Sequence, residues 1–135
     1  MNELALAAIY CVLMLGGETE QRHTYSVADE TRHIVIDCET PTQVVEVGWD
    51  NRGALDSIQQ ALFAAELSGK APAILLIDTD GRIGPYETRI RTVAKRTGVE
   101  FKTIEMDRLI RWQMTSWLRE RRLSGPGSEN TEPGF

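Results

Sequence analysis

Between Gln21 and Trp49 the chain offers three strand-like segments joined by links too short for any crossover. QRHTYSV (Gln21–Val27) is half polar, RHIVID (Arg32–Asp37) is rich in β-branched residues, and QVVEVGW (Gln43–Trp49) follows a turn broken by Pro41. A parallel return needs a crossover of about a dozen residues or more, so these strands must be antiparallel neighbours. The period then changes. ALDSIQQALFAAEL (Ala54–Leu67) places Ile58, Leu62 and Ala65 on one helical stripe, and Ser68-Gly69 ends it. APAILLID (Ala71–Asp78) is a nearly unbroken apolar run, the pattern of a strand covered on both faces.

A second helix is predicted from Tyr86 to Thr97, opened by Gly84-Pro85 and closed by Gly98. Val99–Ile104 alternates as a half-exposed strand. Asp107 is read as the N-cap of a last helix over 108–123. At the other end, Leu4–Leu15 is an apolar run stopped by Gly16-Gly17, too short for a membrane span of about 20 residues. Its Met-Asn-Glu start lacks the positive charge of a secretory leader, so a buried helix is expected. The predicted order is α-β-β-β-α-β-α-β-α. This is an α/β chain with a mixed five-stranded sheet and helices on both faces, in a three-layer α/β/α arrangement. A single domain spans 1–123, and the Gly/Pro/Ser/Glu-rich 124–135 reads as a flexible tail.

Composition narrows the function classes. The 135 residues are 41% hydrophobic and 26% charged, which excludes a wholly disordered or collagen-like chain. A net charge of -5 means that any basic footprint for nucleic acid must be local. Cys11 and Cys38 are too few for a disulfide framework or a zinc site, and reduced thiols in a cytoplasmic setting are the simplest expectation. Cys38 as a nucleophile lacks a histidine that the sequence places to activate it.

Asp37 ends the second strand and Glu46 lies inside the third, among valines. An acid on a mostly apolar strand is costly unless it is paired or binds a cation. Two hard oxygen ligands, with water completing the shell, suit Mg²⁺. The competing reading is a solvated rim, with Glu46 paired to Arg52. Gln59 is either a site residue or the N3 partner of an Asp56 capping box; Gln60, one step round the helix, is expected to face elsewhere. Phe63 suits the core. Asp78 and Asp80 in IDTDG form a rival acidic site after an apolar strand, or else an ordinary Asp/Gly turn. The last helix gathers Arg108, Arg111, Arg119, Arg121 and Arg122 around an apolar stripe of Ile110, Met114, Trp117 and Leu118, with Trp112 at its edge.

On these features the chain resembles the PD-(D/E)XK nuclease superfamily, the restriction-endonuclease-like fold. HIVID supplies the acid at the end of strand two, Asp37, and VVEVG the acid of strand three, Glu46. Gln59, Phe63 and Leu67 match the helix spacing of the RecB-like branch, with Phe where Tyr is usual. The likeness covers roughly Met1 to Ile104. It implies metal-dependent hydrolysis of DNA phosphodiesters, with Asp37 and Glu46 holding Mg²⁺ and Gln59 positioning metal, water or phosphate. One departure stands out: the motif lysine, two residues after Glu46, is replaced by Gly48. Arg52 or Lys70 would have to substitute. The alternative is a catalytically inactive nuclease-fold module, structural or protein-binding, with the aromatic C-terminal helix as a homodimer surface and no membrane contact.

Overall fold

A computed structural model of the chain describes residues 3–50 and 54–115. Helix α1 (Glu3–Ala8) runs into a π-helical segment, Ile9–Leu15, that ends at left-handed Gly16. Strands β1 (Glu18–Val27), β2 (Glu30–Glu39) and β3 (Gln43–Trp49) follow, then α2 (Ala54–Ser68), β4 (Ala71–Asp78), α3 (Pro85–Thr97), β5 (Glu100–Glu105) and α4 (Met106–Met114). The chain is therefore mixed α/β, with one sheet in the order β1-β2-β3-β4-β5. β1, β2 and β3 are successively antiparallel, and β3, β4 and β5 are parallel.

β3 and β4 form the centre because both their faces are apolar. Val45, Val47, Leu75 and Ile77 pack with Ile9, Tyr10, Cys11 and, from α4, Leu109. Ile74 and Leu76 point the opposite way, onto Ile58 of α2 and Ile90 and Ala94 of α3. Full burial of each such aliphatic side chain contributes about 1.5–3 kcal/mol. Helix α3 starts at Pro85 and stops at Gly98, whose φ of +77° suits glycine.

Three expectations need correction. The first hairpin is longer than the sequence pattern suggests, since β1 and β2 close through Ala28 and Asp29, both left-handed with φ of 47° and 66°. Those residues carry no Asn-Gly signal of a primed turn. Helix α4 begins at Met106 with Glu105 as its N-cap, so Asp107 lies in the first turn. Its inward side is Leu109 and Trp112, while Met114 is 67% exposed. Trp117, Leu118, Arg119, Arg121, Arg122 and the tail 124–135 lie outside the described residues, as does Arg52.

The third correction concerns the cysteines. Cys11 and Cys38 form a disulfide, with Cα atoms 5.5 Å apart and no exposure of either residue. It ties the N-terminal helical segment to β2. The expectation of reduced thiols fails, and with it the support for a cytoplasmic setting. Cys38 is no nucleophile in this state. Among the described residues no helix is long and apolar enough to cross a membrane.

Candidate functional site

The regular pairing of β2 breaks at Asp37. The β1–β2 ladder runs from Glu18↔Glu39 to Val27↔Glu30 but omits the Glu20/Asp37 rung, where Glu20 has a φ of 51°. The β2–β3 ladder consists of Cys38↔Val45 and Glu39↔Val44. One further step in that register sets Asp37 opposite Glu46. Side chains on a regular strand alternate, yet Ile36 packs with Val44 and Ala64 on the α2 face while Cys38 joins the cluster on the other face. The strand therefore turns about its axis at Asp37, and β2 leaves β3 there.

At this parting two carboxyl groups replace the missing backbone bonds. The Val47 N–H donates to Asp37 Oδ2 at 2.8 Å, and the Asp37 N–H donates to Glu46 Oε2 at 3.2 Å. Each acid thus receives an N–H at or beside the other. Glu46 is 4% exposed. Burial, followed by the charge of Asp37, pushes its pKa up to about 8, and burial also raises Asp37. At neutral pH Glu46 therefore keeps its proton, and the two carboxyl groups are not both ionised.

The amide that completes the site is Gln60. Its Nε2 donates to Glu46 Oε1 at 3.1 Å and to the Val35 carbonyl at 2.9 Å. The second bond satisfies a β2 carbonyl beyond the point where β3 has departed. Gln59 lies on the exposed side of α2, so the expected roles of Gln59 and Gln60 are exchanged in space. Phe63 packs edge-on against Tyr25, with ring centres 4.9 Å apart.

Among the described residues no cation stands where the resemblance needs one. Gly48 occupies a buried rung opposite Leu76. Lys70 is engaged elsewhere: its Nζ donates to Glu39 Oε2 at 2.7 Å and to the Thr40 carbonyl at 2.8 Å. His23 Nε2 approaches the other oxygen of Glu39 at 2.6 Å. Burial alone would raise Glu39, but the Lys70 ammonium and His23 outweigh it and hold its pKa below the ordinary value. Among the described residues no Lys or Arg forms an ion pair with Asp37 or Glu46.

The rival acidic group also assembles, with Asp50 as a third member that the sequence pattern does not reveal. One oxygen from each of Asp50, Asp78 and Asp80 lies within 4.8 Å of the others. These oxygens serve the backbone. Asp78 Oδ1 accepts the N–H of Asp80 and Gly81, Asp80 Oδ1 accepts that of Arg82, and Asp50 Oδ2 accepts that of Thr79. The IDTDG segment is built as a turn capped by its own carboxylates.

Comparison with family models, with curated proteins and with solved structures returns no match for this chain.

Proposed function

We propose that this chain is a three-layer, restriction-endonuclease-like domain whose Asp37–Glu46 pair binds a divalent cation, Mg²⁺, to hydrolyse DNA phosphodiesters. The observation that carries the reading is the pair itself. Two carboxyl groups converge where β2 and β3 part, one of them almost wholly buried, with a neutral amide as the side-chain donor and no neighbouring cation in the described chain. Such a pair is costly when both groups are ionised, and a hard divalent ion would relieve that cost. The sheet order and strand directions support the same frame.

Asp37 and Glu46 would hold the ion, which supplies Lewis-acid stabilisation of phosphate charge and a more acidic bound water. Val47 N–H fixes one oxygen of Asp37, leaving the other to ligate. Gln60 orients Glu46 without adding charge. Calorimetric titration with Mg²⁺ and Mn²⁺, beside cleavage assays on single- and double-stranded DNA, tests the proposal. Binding and cleavage that both vanish in Asp37→Ala/Glu46→Ala are the expected result. Wild-type protein that neither binds nor cleaves removes the proposal.

A second reading is favoured by Gly48. Without a lysine beside Glu46, the frame keeps an ion site but lacks the charged amine that orients and activates water. An inactive module of this kind binds Mn²⁺ and leaves DNA intact.

A further inference from the structure

A row of exposed cations lies on α3, a helix that carries neither member of the carboxylate pair. Arg89, Arg91, Lys95 and Arg96 occupy exposed positions of this helix, and exposed Arg82 precedes it. The single acid of the helix, Glu87, is turned inward at 3% exposure and paired to Arg91 at 2.9 Å. The Arg91 guanidinium also lies over Phe101, 5.3 Å from the ring centre, and is thereby committed. Arg82, Arg89, Lys95 and Arg96 form no ion pair with a described residue. This basic surface belongs to a chain whose net charge is -5.

Helix electrostatics explain only half of it. Lys95 and Arg96 sit in the last turn, where the helix dipole favours cations. Arg89 stands in the N-terminal half, where the dipole gives a cation no support, and it forms no ion pair with a described residue, while Arg82 precedes the helix with its backbone N–H donated to the exposed Asp80 carboxylate. Ile83 beside Arg82 is 65% exposed, an apolar contact at the head of the same row. Arg89 and Arg96 are two turns apart, about 10 Å along the axis at 1.5 Å per residue, and share a side of the helix. Cations strung along a helix hold a single phosphate poorly, because they do not converge. They suit a chain of phosphates.

We propose that the outer face of α3, through Arg82, Arg89, Lys95 and Arg96, is a contact surface for the phosphate backbone of nucleic acid. It supplies a binding face for the substrate class of the carboxylate pair and rests on that reading to this extent, while the binding itself needs no metal.

The test is fluorescence anisotropy of labelled single-stranded and duplex oligonucleotides in EDTA, across a range of salt concentrations. Four phosphate contacts give a log K against log salt slope of about −3 to −4 on duplex DNA. Arg89→Glu/Arg96→Glu is expected to weaken binding by roughly tenfold or more and to reduce the slope by about two. Arg89→Gln/Arg96→Gln, which removes charge without reversing it, reduces the slope by the same amount, and unchanged circular dichroism shows that the fold persists. Wild-type protein that binds neither oligonucleotide, or variants with unchanged affinity and slope, overturns the proposal. Self-association that these substitutions abolish, in a protein that ignores DNA, assigns the face to a second copy and overturns it too. Binding in EDTA without Mn²⁺ uptake or cleavage sinks the carboxylate reading and leaves α3 standing. Mn²⁺-dependent cleavage unaffected by the α3 variants does the reverse.

Discussion

A carboxyl group that keeps its proton to about pH 8 makes the folded state sensitive to pH in an unusual direction. The unfolded chain releases the Glu46 proton near 4.5, the ordinary value, while the folded chain holds it to about 8. Between those values the native state binds the extra proton, so stability falls as pH rises, by about 1.4 kcal/mol per unit from this group. Glu46→Gln is expected to flatten that slope in metal-free buffer, as urea unfolding from pH 5 to 8 will show; an unchanged slope places the titration elsewhere. Gln60 gives a second test at this scale. Gln60→Ala is expected to weaken Mn²⁺ binding several-fold, with Gln59→Ala close to wild type. The sequence makes Asp37 and Glu46 visible because each interrupts an apolar strand. It misleads about the glutamines because helical phase depends on which small residues the fold buries. Weighting Ile58, Leu62 and Ala65 turns Gln60 outward, whereas the wholly buried residues are Ile58, Ala61 and Ala64. Successive residues lie about 100° apart round the helix, so this shift of the buried stripe brings Gln60 to its margin and carries Gln59 away.

Among the elements, the strand most altered by long-range contacts is β2. Its apolar residues announce a strand, but its break at Asp37 has no sequence signature, because it arises where β3 departs, between Ile36 on one face and Cys38 on the other. Cys11 and Cys38 are 27 positions apart on unlike elements, a separation from which no pairing can be read. Gly17 fits between the two sulfurs: an added Cβ would stand 3.1 Å from each and 2.8 Å from the Glu39 carbonyl oxygen. Closing a loop of that size stabilises by about 3–4 kcal/mol on chain-entropy grounds. Cys11→Ala/Cys38→Ala is expected to lower Tm by on the order of 10 °C, with dithiothreitol lowering wild type and sparing the variant. A variant as stable as wild type would show that the bond contributes nothing. α2, β4, α3 and β5 were legible for the opposite reason. Their apolar patterning, proline start and glycine stops are local, and the core keeps these elements, though it shifts the buried stripe of α2.

At the scale of the whole molecule, the fold separates two kinds of charge. The Asp37–Glu46 pair lies where strands part, and the exposed cations run along α3, so the negative net charge conceals a basic face. On the proposed reading the frame is either a working hydrolase or a module without the amine, and Gly48 is the position at which the two can be told apart. It shares a face of β3 with Glu46, two residues away. A lysine at that point would stand on the face of the carboxyl pair with no ion pair of the described chain to compete for it, and an ionised carboxylate there favours its protonated form despite burial. If Gly48 marks a lost amine, Gly48→Lys is expected to raise Mn²⁺-dependent cleavage of DNA by roughly a hundredfold, the scale of a positioned proton-transfer group. The Mn²⁺-induced rise in Tm serves as the control, because a variant that still gains stability from the ion has kept its fold and its carboxylate pair. Retained stabilisation with no gain in cleavage would show that Gly48 is not the missing component, and that the frame either works without a lysine or was never catalytic.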